Sequence, residues 1–189
     1  MKPFFASSLA LALSWALPAT AEPVALPDES VYQLPGEWRD HDGRPLVLAD
    51  LAGRPRLLSF VYTYCEHTCP TIVARLKLAS EPPEGPAAGE LQVTLVSLDP
   101  QRDTPERMRA YMAEQGLDQR GWLMLHGDPD EVLAFAAMLG VRYRPMGDRD
   151  IAHSNMITVL DADGVVRYQA KGLDEDPAEL AAAIAAVLP

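Results

Sequence analysis

The sequence predicts an α/β fold with a central mixed sheet, helices on both faces of that sheet and a β-hairpin near its start. Apolar runs rich in aromatic and β-branched residues, typical of buried strands, alternate along the chain with amphipathic segments typical of helices. Gly, Pro and Asp signals separate these segments. The predicted order is β-β-β-α-β-α-β-α-β-β-α, and this alternation favours a sheet between two helical layers.

The first predicted elements are a hairpin, a buried strand and a helix. An Asp-Gly pair between two short runs in residues 38–48 is a hairpin signal. The apolar run 57–62 predicts a buried strand. The following amphipathic segment predicts a helix with Pro70 in its first turn, where the missing N–H breaks no hydrogen bond. The proline-rich stretch 81–86 ends this helix in a loop.

The later elements follow from cap and turn signals. Thr104 and Asp128 stand where helix N-caps are expected, and Asp163-Gly164 is a turn between two strands. The segment 141–154 is predicted to be irregular. The other predicted strands are 91–98, 122–125, 156–160 and 165–168, and the other predicted helices are 105–115, 131–139 and 177–187.

Residues 1–21 predict a secretory signal peptide. Lys2 supplies the positive charge, an apolar stretch follows, and Ala19-Thr20-Ala21 is a small-residue cleavage site. A retained membrane anchor is the alternative, but the apolar stretch is shorter than the roughly 20 residues that span a bilayer. We therefore expect a periplasmic or otherwise exported protein, soluble after cleavage and membrane-anchored if uncleaved. A flexible lead-in over 22–35 and one domain over 36–189 complete the predicted organisation.

Composition narrows the class of partner. The formal net charge is −11, and an acidic surface repels phosphate backbones, so no nucleic-acid partner is expected. Export would place the chain in an oxidising compartment, where a cysteine pair can persist as a disulfide.

The only two cysteines, Cys65 and Cys69, lie in the turn between the strand 57–62 and the helix at Pro70. Such a pair can close a disulfide or chelate one soft metal ion. The helix N-terminus lowers the pKa of the first thiol and favours the thiolate, which is both a nucleophile and a metal ligand. A strand, a cysteine turn and a helix are typical of thioredoxin-like proteins, but three residues rather than two separate these cysteines.

His153 is the third candidate ligand. It stands just before the strand 156–160, where thioredoxin-like folds hold a cis-proline that packs over the cysteines. Two thiolates and one imidazole are a soft donor set suited to copper, as Cu(I) or Cu(II).

Three separated motifs resemble the Sco/SenC family of copper-delivery proteins. They are Tyr-Thr-Tyr-Cys-Glu-His-Thr-Cys-Pro at 62–70, Ser-Leu-Asp-Pro-Gln-Arg-Asp-Thr-Pro at 97–105, and His153-Ser154. The resemblance implies a thioredoxin-like fold that binds copper through Cys65, Cys69 and His153. It implies a cuproprotein client such as a cytochrome c oxidase subunit, whose copper A site the family helps to assemble, and an upstream copper donor. One departure is Glu66-His67-Thr68, which stands where many members have Pro-Asp-Val.

Several alternatives stay open at this stage. The chain could be a thiol–disulfide oxidoreductase that reduces the cysteines of a copper-site client, with Cys65 as nucleophile and Cys69 as resolving thiol. A purely structural disulfide is a weaker alternative, because a bond that closes so short a loop adds little stability to the fold. Zinc would need a fourth ligand from His67 or His126. A peroxidase is the third-ranked class, because the supporting Thr and Arg of such a site are not evident.

Other polar and sulfur-containing residues are given structural interpretations. His67 is interpreted as exposed, and His41 and His126 as structural or solvated. Asp99 and Asp103 could form a carboxylate pair, but the turn at Asp99 and the helix cap beside Asp103 explain them better. The methionines at 108 and 112 have the spacing of a helix face that packs in the core.

Overall fold

The computed structural model describes residues 25–81, 89–147, 150–172 and 174–189. The predicted signal peptide and most of the proline-rich loop therefore lie outside the described residues. In chain order the strands and helices are β1 (Trp38–Asp40), β2 (Pro45–Leu46), β3 (Arg56–Val61), α1 (Cys69–Ala79), β4 (Gln92–Ser97), α2 (Pro105–Glu114), β5 (Leu123–His126), α3 (Pro129–Met138), β6 (Tyr143–Met146), β7 (Asp150–His153), β8 (Met156–Leu160), β9 (Val166–Lys171) and α4 (Pro177–Val187). Within those ranges, no helix combines the length and apolar character that a bilayer crossing requires.

Seven of these strands form one mixed sheet in the order β2-β1-β5-β4-β3-β8-β9. The central strand β3 runs parallel to β4 and antiparallel to β8, with Leu57 opposite Val93 on one side and Val159 on the other. All six residues of β3 are buried, because both faces of the sheet are covered there. The ring of Phe135 in α3 packs edge-on against Phe60, at 5.7 Å between centroids. The predicted fold class is confirmed.

The predicted cap residues precede the helices that the structure shows, although α3 begins at Pro129 and not at the predicted residue 131. The Thr104 hydroxyl oxygen accepts a hydrogen bond from the backbone N–H of Arg107 at 3.3 Å, as expected for an N-cap. At α3 the Glu131 carboxylate accepts from the backbone N–H of Asp128 at 3.0 Å, which completes a capping box. The two methionines at 108 and 112 lie fully buried on the inner face of α2, so their core interpretation is confirmed.

The prediction that 141–154 is irregular was wrong. Strands β6 and β7 pair antiparallel as a separate two-stranded sheet, with Tyr143 opposite His153 and Arg144 opposite Ala152. We refer to β6 and β7 as the β6–β7 hairpin. Pro145 and the charged residues around it break the alternation that predicts a strand, which explains the error.

The predicted lead-in over 22–35 is also too long. Ser30 forms a β-bridge with Val165, and the following turn of 3₁₀ helix, Val31–Gln33, buries Val31 and Tyr32 in the core. Tyr32 lies directly over Gly164, which has a φ of +80° in the hairpin turn. The packed domain therefore begins before residue 36.

The contact between Tyr32 and Gly164 predicts an unequal effect of two glycine substitutions. An alanine Cβ at Gly164 would lie 2.3 Å from the Tyr32 ring, whereas at Gly172, with a φ of +90°, it would meet nothing within 4 Å. Both variants carry the backbone strain of a positive φ, about 1–2 kcal/mol. The free energy of unfolding should fall by roughly 1–3 kcal/mol more in Gly164→Ala than in Gly172→Ala, because the new methyl group also displaces Tyr32. Urea unfolding measures both losses, and equal losses would show that the 30–33 segment does not pack as described.

Candidate metal centre

The cysteine turn connects the end of β3 to the start of α1. The backbone N–H of Cys65 donates to the carbonyl of Tyr62 at 3.2 Å, so Cys65 lies in the turn and not in the helix. Cys69 is the first residue of α1, and its backbone N–H donates to the Cys65 sulfur at 3.3 Å. The N-terminus of α1 therefore points its backbone N–H at the sulfur of the first cysteine, as the sequence predicted.

His153 ends β7 and faces the cysteines from the β6–β7 hairpin. Its Nε2 lies 3.7 Å from the sulfur of Cys69, and its Nδ1 lies 3.1 Å from the carbonyl oxygen of Ser154. A proton on Nδ1 can donate to that carbonyl, which leaves the Nε2 lone pair free for a metal. The His153 ring packs edge-on against Tyr62, with 6.0 Å between centroids.

The structure thus brings the three predicted ligands together. The sulfurs of Cys65 and Cys69 and a ring nitrogen of His153 all lie within 4.8 Å of one another. Among the described residues, they form the one group of three or more His, Cys, Asp or Glu side chains with metal-binding spacing. Both thiols are free, Cys69 is fully buried, Cys65 is buried and His153 is half-buried.

The two thiols have opposite proton affinities. A hydrogen bond from the Cys69 side chain lowers the pKa of Cys65, with further help from His153 and from the Cys69 backbone N–H, against the opposing effect of burial. The hydrogen bond to Cys65 and burial both raise the pKa of Cys69. Cys65 is therefore the thiolate of the pair and the better nucleophile.

A buried carboxylate supports the cysteine turn, and the sequence did not reveal it. Asp103 is fully buried and accepts from the Thr63 hydroxyl and the Ser97 hydroxyl, each at 2.6 Å, and from the Thr63 backbone N–H. Burial raises the pKa of Asp103, against these hydrogen bonds. The Thr104 cap accounts for the local sequence pattern around Asp103, so that pattern does not indicate a buried carboxylate.

The outer side of the turn carries an aromatic ring that two arginines contact. Tyr64 is 41% exposed, and the guanidinium groups of Arg102 and Arg107 lie 5.8 and 5.4 Å from its ring centroid. Arg107 also donates to the Thr63 hydroxyl at 3.2 Å and pairs with Glu114 at 3.1 Å. The turn is therefore held by Asp103 from inside and by Arg107 from outside.

The other three histidines lie apart from the metal-binding group. His67 is exposed, as the sequence predicted. His41 accepts from the backbone N–H of Met124 at 3.3 Å, which is a structural role. His126 ends β5, and burial lowers its pKa. Within the described ranges, neither His67 nor His126 completes the closed four-ligand site that structural zinc requires.

The comparisons with known proteins agree with this geometry. A family profile described as SCO1/SenC matches residues 28–189. The chain belongs to the SCO1/SenC family. Among curated relatives, a putative copper-binding protein of Stutzerimonas stutzeri is 29% identical over 174 residues, covering 85% of this chain and 84% of the relative. The SCO1 protein homolog of Bacillus subtilis is 25% identical over 151 residues, covering 76% of this chain and 75% of the relative.

Solved structures of similar proteins share the fold of this SCO1/SenC protein. Bradyrhizobium japonicum ScoI, solved with copper bound, is 28% identical with a TM-score of 0.64, covering 82% of this chain and 98% of that one. A putative electron transfer protein from Aquifex aeolicus is 25% identical with a TM-score of 0.71, covering 82% and 91%.

Removal of the buried carboxylate should destabilise this SCO1/SenC protein. Asp103→Ala leaves two hydroxyls and one N–H without their acceptor, so the free energy of unfolding should fall by about 3 kcal/mol. Glu114→Ala is the control, because it breaks an exposed ion pair worth less than about 1 kcal/mol. Chemical denaturation of both variants gives the comparison. A loss for Asp103→Ala as small as the control would mean that the carboxylate does not support the turn.

The opposite pKa shifts predict which thiol reacts first. In the reduced SCO1/SenC protein at about pH 6, limiting iodoacetamide should modify Cys65 in preference to Cys69, since an ordinary thiol with a pKa of about 8.5 is then protonated. The labelling rate at Cys65 should change little between about pH 6 and pH 8, whereas free cysteine becomes much more reactive over that range. Peptide mass spectrometry measures both rates. Faster labelling of Cys69 would reverse the assignment.

Proposed function

We propose that this protein binds one copper ion through Cys65, Cys69 and His153 and delivers it to a cuproprotein, with the copper A site of cytochrome c oxidase as the favoured client. The observation that carries this proposal is the cluster of two sulfurs and one imidazole nitrogen within 4.8 Å. A set of thiolate and imidazole donors binds copper more favourably than it binds hard cations such as Mg²⁺ or Ca²⁺. Copper is the cargo here, so it must be both held and released.

The burial of the donors fits temporary storage. Cys69 and Cys65 are shielded by the core, whereas His153 lies beside an open groove of about 320 Å³ lined by Arg142, Tyr143, Arg144, Ala152, His153 and Ser154. A partner can approach His153 from this groove without unfolding the site. The names of two similar proteins also refer to copper: a putative copper-binding protein and a ScoI structure with copper bound.

Redox state would control loading. Both sulfurs must be reduced to act as thiolate ligands, and a disulfide between them would remove two of three donors. The signal-like segment at 1–21 supports export to the periplasm or an equivalent space, where copper and oxidants are both encountered.

A second candidate function is thiol–disulfide exchange with the client, and the lowered pKa of Cys65 favours it. The Cys65 thiolate would attack a client disulfide, form a mixed disulfide and release one client thiolate. Cys69 would pass its proton to that leaving thiolate and attack the Cys65 sulfur, releasing the second client sulfur as a thiolate that takes a proton from solvent. Two electrons reach the client, and this chain ends with a Cys65–Cys69 disulfide. His153 forms and breaks no bond in this chemistry and only assists Cys69 in lowering the pKa of Cys65.

Copper titration of matched variants tests the proposal. The reduced protein should bind one copper ion per chain, with a sulfur-to-copper charge-transfer band for Cu(II). Cys65→Ser or Cys69→Ser should abolish this binding, because each removes one of only two thiolates. His153→Ala should weaken Cu(II) binding by about tenfold or more. It should slow the reaction with a small disulfide far less, since the hydrogen bond from Cys69, and not the one from His153, is the main cause of the lowered pKa of Cys65.

His67→Ala is the matched control, because His67 lies between the two cysteines but is exposed. It should keep both copper affinity and disulfide reactivity. Unchanged copper stoichiometry in either cysteine variant would refute the copper proposal. Equal Cu(II) affinity in wild type and His153→Ala would remove His153 from the site and favour the oxidoreductase.

A further inference from the structure

The β6–β7 hairpin carries His153, yet its two strands form a sheet separate from the seven-stranded one. The position of His153 therefore depends on contacts between the hairpin and the rest of the protein. One of them is a hydrogen bond in which the backbone N–H of Ile151 donates to the Tyr62 hydroxyl oxygen at 3.3 Å.

Strand register explains why the Ile151 N–H is available. The backbone N–H of Ser154 donates to the carbonyl of Arg142 inside the hairpin, so hydrogen-bonded pairs recur at every second residue. Ile151 lies opposite Pro145 in a pair that is not hydrogen-bonded. Its N–H therefore points out of the hairpin, and because Ile151 is buried, this N–H needs a partner from elsewhere in the fold.

Tyr62 is placed to contact each part of the site. It directly follows β3, stands three residues before Cys65 and is buried. Its ring packs edge-on against the His153 ring, with an interplanar angle of 82°. Its backbone carbonyl accepts a hydrogen bond from the backbone N–H of Cys65 at 3.2 Å. This one residue thus connects the end of β3, the first cysteine and the hairpin.

We propose that Tyr62 is a positioning residue of the copper site: its hydroxyl fastens β7 to the end of β3, and its ring fixes the orientation of the His153 imidazole. This inference rests on the proposed copper binding and adds a residue to it. The consequence depends on oxidation state. Cu(II) needs the nitrogen donor, whereas Cu(I) is softer and the two thiolates hold it without a fixed imidazole.

The test compares Tyr62→Phe with Tyr111→Phe. The first variant removes the hydroxyl that bonds Ile151 and keeps the ring. The second removes the hydroxyl of another buried tyrosine, one with no hydrogen-bond partner in the described part of the chain. The two variants are therefore matched in chemistry and differ in the hydrogen bond to β7.

The first measurement needs no copper. Amide hydrogen exchange in the reduced, metal-free protein should be at least about tenfold faster at Ile151 in Tyr62→Phe, because its N–H has lost its acceptor. Ala152, whose N–H points into the hairpin, should change less. The nuclear Overhauser contact between the rings at 62 and 153 should weaken in Tyr62→Phe and persist in Tyr111→Phe.

The second measurement uses the metal. By competition titration, Tyr62→Phe should weaken Cu(II) binding roughly three- to tenfold, less than the roughly 10- to 100-fold typical when the support of a ligand is lost entirely, because the ring that packs on His153 remains. Its charge-transfer band should shift, and its Cu(I) affinity should stay within about twofold, since both thiolates remain. Tyr111→Phe should match wild type in all three respects.

The outcomes separate this inference from the proposed function. If Ile151 exchange is unchanged, or if it rises while Cu(II) affinity and the charge-transfer band stay the same, Tyr62 does not position His153. If wild-type protein binds no copper, the proposed function fails. In that case faster Ile151 exchange with a weaker ring contact still supports the positioning role, and unchanged values refute it.

Discussion

Asp103 accepts hydrogen bonds from two strand ends that are far apart in the sequence, and the location of the cysteines depends on them. Thr63 follows β3 and Ser97 ends β4, and both hydroxyls donate to the same buried carboxylate. The two strands are thereby fixed side by side at the edge where the cysteine turn begins. Since Thr63 lies only two residues before Cys65, a shift of this carboxylate would move the first sulfur.

Strand direction explains why the third donor reaches the same edge. Strand β3 runs toward the cysteine turn, and β8 lies beside it in the opposite direction, so the start of β8 faces the end of β3. His153 comes three residues before β8 and is therefore delivered to the cysteine edge. The Ser59 hydroxyl donates to the carbonyl of Met156 at 2.7 Å, a further link between the two strands. A site that uses the end of one strand and the beginning of its antiparallel neighbour needs no long loop.

Sequence patterns predicted the elements that have local signals. The cap residues Thr104 and Asp128, the apolar run of β3 and the proline at the start of α1 each act within a few residues, and the structure has all of them. Spacing and resemblance also selected the three residues that the fold brings together. The β6–β7 hairpin escaped prediction because Pro145 interrupts its alternation. The contacts of Thr63 with Asp103 and of Ile151 with Tyr62 were not predicted, because they span 40 and 89 residues and no local pattern encodes them.

In the proposed copper delivery, the unequal burial of the three donors would set the order in which an incoming ligand replaces them. An incoming ligand meets His153 first, because that side chain borders the open groove, and it meets Cys69 last, because the core encloses that sulfur. The metal ion would therefore leave as its ligands are replaced one by one, and Cys69 would be the last protein ligand to detach. Loading would reverse these steps, so Cys69 would bind the ion first and His153 would complete the site last. The groove beside His153 would then be both the entrance and the exit of the metal.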